Sequence, residues 1–494
     1  MNDKKIDHGS PTTLISSQRV LQSLNLGFYL LTALIILNSL LYLIFASTRY
    51  IKSDDWFYIG QILVPWFSGD FSWSNLLVIR GTGDRIQLFH RAFLILNAEY
   101  FSLNMLIRGV VGFSFYVACL VVLLRHFRET NLFGCQKHRF GGVIAMSLAL
   151  CFFSFNSTVN LTWPLVTLGY AVYLVIFLFF IFLSKNISKE RPNHKGLALF
   201  AAVALLMGDD TAMLACIAAA LILSIYCYTT REFQRNIKSI LAISAVLLGY
   251  VLLKREFVEY LNNRNSETAI LEYFLADPFV IVKYILRSLS NSVVFFHHLK
   301  FFEPKHADKI AYAIGSLVLF LQLTSLFLYI YFDKHRKSIV PIAMLLLYWG
   351  LLAGVMIYRL PGTGLTAGDY PRYIRSYSIG LFATAIMLVS ILPDIQNILM
   401  LKARSIRRLL YSLFALIFCS FLLLQIVFIE GRWSSLSYLL NHHERIELRI
   451  NEYGNAESVN SLTGKSICPG KIDTCYEKVQ FLKKERLNIF SAYY

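Results

Sequence analysis

The 494-residue chain is 56% hydrophobic and 15% aromatic but only 16% charged, where a soluble domain carries about a quarter charged residues. That excludes a soluble globular enzyme and describes a polytopic membrane protein, since several windows of about 20 residues are almost free of charge. The net charge of +17 sits mainly in short loops and the tail, a pattern set by topology and anionic lipid, and nucleic acid is excluded as a partner.

Residues 1–24 are polar and lead into an apolar run with no small-residue cleavage site, so an uncleaved first span is expected after a cytoplasmic segment. Apolar runs predict spans near 25–48, 105–124, 140–156, 164–184, 196–208, 211–230, 239–254, 309–332, 339–358, 376–393 and 410–429. The runs at 140–156 and 196–208 are short. "KNISKERPNHK" and "REFQRNIK" are both basic, and two loops on one side require an even number of crossings between them, so "LMGDDTA" is read as a hairpin turn. Lys and Arg also cluster in "RHFRETNLFGCQKHR", "DKHRKS" and "LKARSIRR", while "NSTVNLTWP" and "GDDTA" have none. The positive-inside rule then puts the N-terminus in the cytoplasm and the C-terminus outside. The expected fold is all-α, with about eleven transmembrane helices. The membrane domain covers 25–429, with outer loops 49–104, 255–308 and 359–375, and 430–494 form a small outer C-terminal tail.

The first outer loop opens with "SDDWFYI". Aspartate is costly near lipid, yet Asp54 and Asp55 stand side by side where the first span surfaces. Apolar stretches follow, and Ile86, Phe89, Phe93 and Leu94 recur at helical spacing, which predicts helices lying in the interface. Such helices hold the acids at the depth of a lipid phosphate. A partly desolvated carboxylate there can take a proton from a hydroxyl or hold a divalent cation against a phosphate. The bland alternative is that the two acids only cap the next helix.

The loop "YRLPGTGLTAGDYPRYIRSYS" places Arg359, Asp369, Tyr370, Arg372, Tyr373 and Arg375 outside, against the charge rule. Arginine there suits a bidentate grip on phosphate or, more simply, headgroup anchoring. In "GDDTA", Asp209 and Asp210 read as a helix cap. "FHHLKFFEPKH" offers His297, His298, Glu303 and His306 at a spacing that fits no metal motif. The sequons at Asn156 and Asn160 lie against the membrane, and no P-loop, dinucleotide fingerprint or nucleophile elbow occurs. Five cysteines lie in spans and Cys135 in a cytoplasmic loop; Cys468 and Cys475 are the outer pair, either closing a disulfide across a Pro-Gly turn or standing as two thiols.

The acidic pair beyond the first span, the Arg-Ile step in "TGDRI" and the later "RY" entering a span together resemble the GT-C glycosyltransferases, most nearly the bacterial membrane enzymes that decorate O-antigen and lipopolysaccharide. Many relatives read Asn-Glu-His-Arg-Ile in the first loop; here Arg85 and Ile86 match and Asp84 replaces the histidine. Relatives carry Ser-Arg-Tyr in the late loop, where this chain has Pro371, Arg372 and Tyr373. The resemblance implies a GT-C-like hexosyltransferase of the cytoplasmic (inner) membrane. It would move a sugar from a polyprenyl-phosphate donor to a glycan or lipid acceptor on the outer face, with inversion. It implies Asp55 or Asp54 as base, Arg85, Arg372 and Arg375 on the donor phosphate, and Asp84, His90, Arg91 and Tyr373 as acceptor or auxiliary groups. No cofactor is demanded; Mg or Mn at Asp54 and Asp55 is the one the residue types would suit. The rival expectations are a flippase or transporter of a lipid-linked saccharide and a non-catalytic polysaccharide-assembly protein. Interior charges are sparse, Arg108 near a span end being one, and no internal repeat is seen.

Overall fold

Among the described residues eight helices are long and apolar enough to cross a membrane: Gln22–Ala46, Met105–Glu129, Pro164–Ile187, Asp210–Tyr228, Asn236–Arg255, Ala307–Tyr331, Val340–Leu360 and Pro371–Leu392. The computed structural model describes the chain except for residues 1–10, 78–86, 134–136, 188, 190, 209, 231–232, 257–274, 276, 401–403, 457–471 and 493–494. Among the described residues there is no strand. The helices used below are α1 (Pro11–Ala46), α2 (Asp55–Tyr58), α3 (Val64–Ser68), α4 (Leu88–Phe101), α5 (Met105–Glu129), α6 (Lys137–Phe152), α7 (Val159–Thr162), α8 (Pro164–Leu168), α9 (Tyr170–Ile187), α10 (His194–Met207), α11 (Asp210–Thr230) and α12 (Phe233–Glu256). They continue with α13 (Val280–Ser290), α14 (Phe296–Phe302), α15 (Ala307–Tyr331), α16 (Val340–Thr363), α17 (Pro371–Met400), α18 (Arg404–Ser434), α19 (Leu436–Asn455) and α20 (Ile472–Lys484).

The first helix begins at Pro11, well before the predicted span, because proline suits a first turn and no breaker follows before Gly27. The short runs at 140–156 and 196–208 are helical, as α6 and α10. α6 packs parallel to α1, from Gly142 against Asn25 to Phe155, just past its end, against the Tyr42 ring at 5.2 Å. Close crossings need glycine. A Cβ at Gly112 of α5 would lie 2.5 Å from the Leu168 backbone, and one at Gly315 of α15 would lie 1.9 Å from the Leu286 carbonyl oxygen of α13.

Among the described residues the apolar core falls into two large parts and a small third around Phe296, Ala307 and Ala311. The larger runs through the spans, around Tyr116, Phe152, Tyr173, Phe177, Tyr348 and Phe382. The second lies outside them, where Trp56, Ile59, Leu63, Leu94 and Leu103 of the first loop pack with Ile450, Tyr453, Val479 and Leu482 of the tail. Loop and tail therefore form one cap. Buried Asn488 fastens it: its side chain donates to the carbonyls of Arg49 (2.8 Å) and Leu103 (3.0 Å), and its backbone N–H donates to Ser102 (2.7 Å). Segments that share a core lie on the same side of a membrane.

The loops at 152–163, 287–296 and 364–371 join that side as well. Thr48 N–H donates to Thr162 (2.8 Å), Asn156 donates to Asn291 (2.7 Å), and Ser157 donates to Pro371 (3.0 Å). At the opposite end His126 meets Ser338 (2.9 Å), and Lys185 pairs with Glu129 (2.9 Å).

Candidate functional site

The geometry of the acidic pair starts from a tight turn. Ser53 takes a left-handed conformation (φ 52), so the Asp55, Trp56 and Phe57 N–H groups bond back to the carbonyls of Lys52, Ser53 and Asp54 and start α2. Asp54 occupies the cap position but makes no side-chain cap bond, so simple capping does not account for it. After α2 the chain widens into a π turn at Ile59–Leu63, ahead of Pro65. Proline has no N–H for the Gln61 carbonyl, and the Asn75 amide takes it instead at 3.1 Å.

The two acids point to different surroundings. Asp55 is 2% exposed and accepts from Arg108 Nη1 of α5 at 2.5 Å, with the Trp163 indole beside it. Burial pushes its carboxyl above the ordinary range, and the Arg108 charge pulls the other way. Asp54 is more open and lies 3.9 Å from Arg372 Nη1 at the start of α17. Ion-pair range without a hydrogen bond leaves the guanidinium fork able to take other acceptors. Tyr373 and Tyr370 flank it, with ring centres 5.2 and 5.9 Å away. Lys52 sits over the Trp163 ring at 5.6 Å, and burial lowers its ammonium pKa.

The late loop is held by residues the sequence did not single out. Arg287 of α13 makes a two-pronged pair with buried Asp369, its Nε at 3.0 Å, and reaches Asp308 at 3.2 Å. The Arg287 guanidinium lies over the Phe296 ring at 3.4 Å, and Asn291 donates to Asp369 (3.1 Å) and Gly368 (3.0 Å). With Pro371 also held by Ser157, the backbone carrying Arg372 is fixed from two sides. One signal was available: α13 concentrates its polar groups on one face, and Arg287 falls on it.

The remaining expected residues are spread more widely. Asp84 and Arg85 lie outside the described residues, as does the side chain of Arg375. His90 and Arg91 are buried in α4, where Arg91 donates to the Leu76 carbonyl (2.7 Å) and faces the Tyr58 ring, a bracing position inside the cap. Tyr373 is beside Arg372, at 3.4 Å. Asp210 opens α11 and pairs with Lys254 (2.8 Å); Asp209 lies outside the described residues. Asn156 and Asn160 are buried. Cys475 is disulfide-bonded, while Cys468 and Cys135 lie outside the described residues; the other cysteines form no disulfide.

Asp54 and Asp55 do not fit a divalent cation. Each faces a guanidinium, which repels a second cation, and the two carboxylates are committed to different partners. Among the described residues no three His, Cys, Asp or Glu side chains converge. A void lined by Tyr116, Phe152, Tyr170, Tyr173 and Phe177 lies within the spans and touches neither acid. The site is thus a carboxylate facing an arginine at the cap end of the bundle. It can accept a proton at one point and grip an anion beside it. No protein-family model, curated protein or solved structure matches the chain.

Proposed function

We propose that the chain is an integral-membrane glycosyltransferase of the GT-C kind, taking a sugar from a polyprenyl-phosphate donor on the outer face of the cytoplasmic membrane. Asp54, the more accessible acid, is the base rather than Asp55. It takes the proton of the acceptor hydroxyl as that oxygen bonds to the anomeric carbon. The bond from that carbon to the donor phosphate breaks, and the polyprenyl phosphate leaves as an anion against Arg372. Attack opposite the leaving group inverts the sugar carbon. A positioned base supplies about 10²–10⁴-fold, and an oriented cation at the developing charge a comparable share.

One observation carries this reading: Asp54 of the first loop and Arg372 of the late loop, far apart in sequence, meet at the bundle's end. The topology that goes with it has about eleven spans, the N-terminus inside and the tail outside. In support, loop 49–104 and the tail share one core, which requires an even number of crossings between them. Seven of the candidate spans lie between, an odd number, so α18 must return the chain. α6 leads from the Glu129 end to the 152–163 loop on the cap side, so it crosses as well, and α10 then crosses with it. We assign Cys468 as the partner of Cys475, in an oxidising compartment.

In nanodiscs supplied with polyprenyl-phosphate-linked hexoses and a glycolipid acceptor fraction, the protein should release free polyprenyl phosphate. Asp54→Asn should lower that release by about 10²–10⁴-fold with folding intact, and Arg372→Gln by about 10²-fold. Undiminished release from Asp54→Asn removes this site. Lipid-linked sugar that crosses vesicles with no covalent product establishes the transporter reading instead.

A further inference from the structure

We infer a second anion site on the far side of the 156–158 loop, one that holds the phosphate of a membrane lipid at Arg432 and His298. Arg432, at the outer end of α18, is half-buried. Its Nε donates to the Phe155 carbonyl (3.5 Å) and its Nη2 to the Asn156 carbonyl (3.2 Å), with His298 Nε2 3.2 Å away. Among the described residues Nη1 has no partner, and no carboxylate lies within ion-pair distance; its titratable neighbours are Tyr42 and His298, neither of them an acid that could neutralise it. A guanidinium drawn out of water with only neutral acceptors lacks a counter-ion. Its free Nη1 presents two N–H groups to phosphate oxygens.

The surroundings identify what carries the phosphate. His298 stacks on Phe428 of α18 at 5.3 Å, which fixes its ring at the arginine. Trp433 donates to Asn38 of α1 (3.0 Å) and meets Tyr42 and Phe45 edge-on, closing the α1–α18 seam at this level. Along the seam Leu37, Leu41 and Phe45 of α1 and Leu423, Ile426 and Val427 of α18 are exposed. An arginine at the interface above exposed aliphatic side chains matches an anionic headgroup above its acyl chains. Exposed Phe301 and Phe302 with Lys300 on α14 put that helix at the same depth. Neither Arg432 nor His298 belongs to the Asp54–Arg372 pair, and the inference does not depend on sugar transfer.

The test uses the full chain in phosphatidylcholine nanodiscs doped with phosphatidylglycerol, with retained lipid counted by native mass spectrometry. Wild type should hold one phosphatidylglycerol in preference to phosphatidylcholine, and Arg432→Gln should weaken that retention by about tenfold. Because Arg432 also bonds two carbonyls, Arg432→Lys and His298→Gln serve as milder variants, and each should weaken retention by a smaller factor. Quenching of Trp433 by brominated phosphatidylglycerol, read as the difference from Trp433→Phe, gives a second readout. Equal retention by wild type and all three variants overturns the site. Displacement of the lipid by an excess of inorganic phosphate overturns the lipid assignment and gives the niche to soluble phosphate.

Discussion

Asp55 gives its carboxylate to Arg108 inside the protein, while Asp54, one residue earlier, faces Arg372 nearer the surface. On the proposed mechanism, chemistry and support are thereby divided between neighbours. The buried pair is incompletely satisfied: Arg108 Nε and Nη2 have no partner among the described residues. Removing one member strands a charge in a dry place, which costs about 3–5 kcal/mol. Asp55→Asn and Arg108→Met should each lower the apparent Tm in scanning fluorimetry, and the apolar double replacement Asp55→Leu with Arg108→Met should recover much of the loss. Equal stability of the single variants and wild type would show the pair to be dispensable. Substitution of Asp54, by contrast, should change turnover and leave Tm in place.

Among the elements, α19 carries a titratable brace. His443 packs edge-on to Tyr50 of the first loop at 5.6 Å, and burial, then the Lys52 and His442 charges, push its pKa down to about 4. Its unfolded value is about 6.5, so the fold favours the neutral ring. That contribution is complete above pH 6.5 and fades as the pH falls from there towards 4, by about 3 kcal/mol at most. Protection factors across 436–455, corrected for the intrinsic pH dependence of exchange, should therefore fall at pH 5 relative to pH 7.5, and His443→Gln should flatten the difference. Local elements of this kind were partly legible in the sequence. Apolar runs long enough to span the hydrocarbon reveal themselves by composition; the Asp54 loop stood out by adjacent acids where a span surfaces, and the Arg372 loop by placing positive charge against the topology rule. The Asp55–Arg108 and Arg287–Asp369 pairs did not, because each joins distant segments and helical period says nothing about which helices adjoin. Asn488 was equally hidden, as an ordinary polar residue whose meaning comes from three backbone groups elsewhere.

For the whole molecule, the cap is where water-driven burial acts, since lipid tails give no such drive between the spans. Each large apolar side chain sealed there contributes about 1.5–3 kcal/mol. Deleting residues after Ser435 uncovers the faces of Trp56, Ile59 and Leu63 that Ile450, Tyr453, Val479 and Leu482 cover. The shortened chain should still insert, yet protease should cut its first loop far faster than in the full chain. A loop that stays resistant would mean that the cap stands without the tail. The sequence placed both segments outside but treated them as separate, because apolar positions in a short amphipathic helix do not name the surface they meet.

The fastening at Asn488 also dictates an order of assembly. The ribosome makes this residue 439 positions after Arg49 of the loop it fastens, long after the first helix has entered the bilayer. Until then the opening loop waits, half-finished, for a partner not yet translated, and a nascent polypeptide arrested early leaves it permanently open to quality-control proteases.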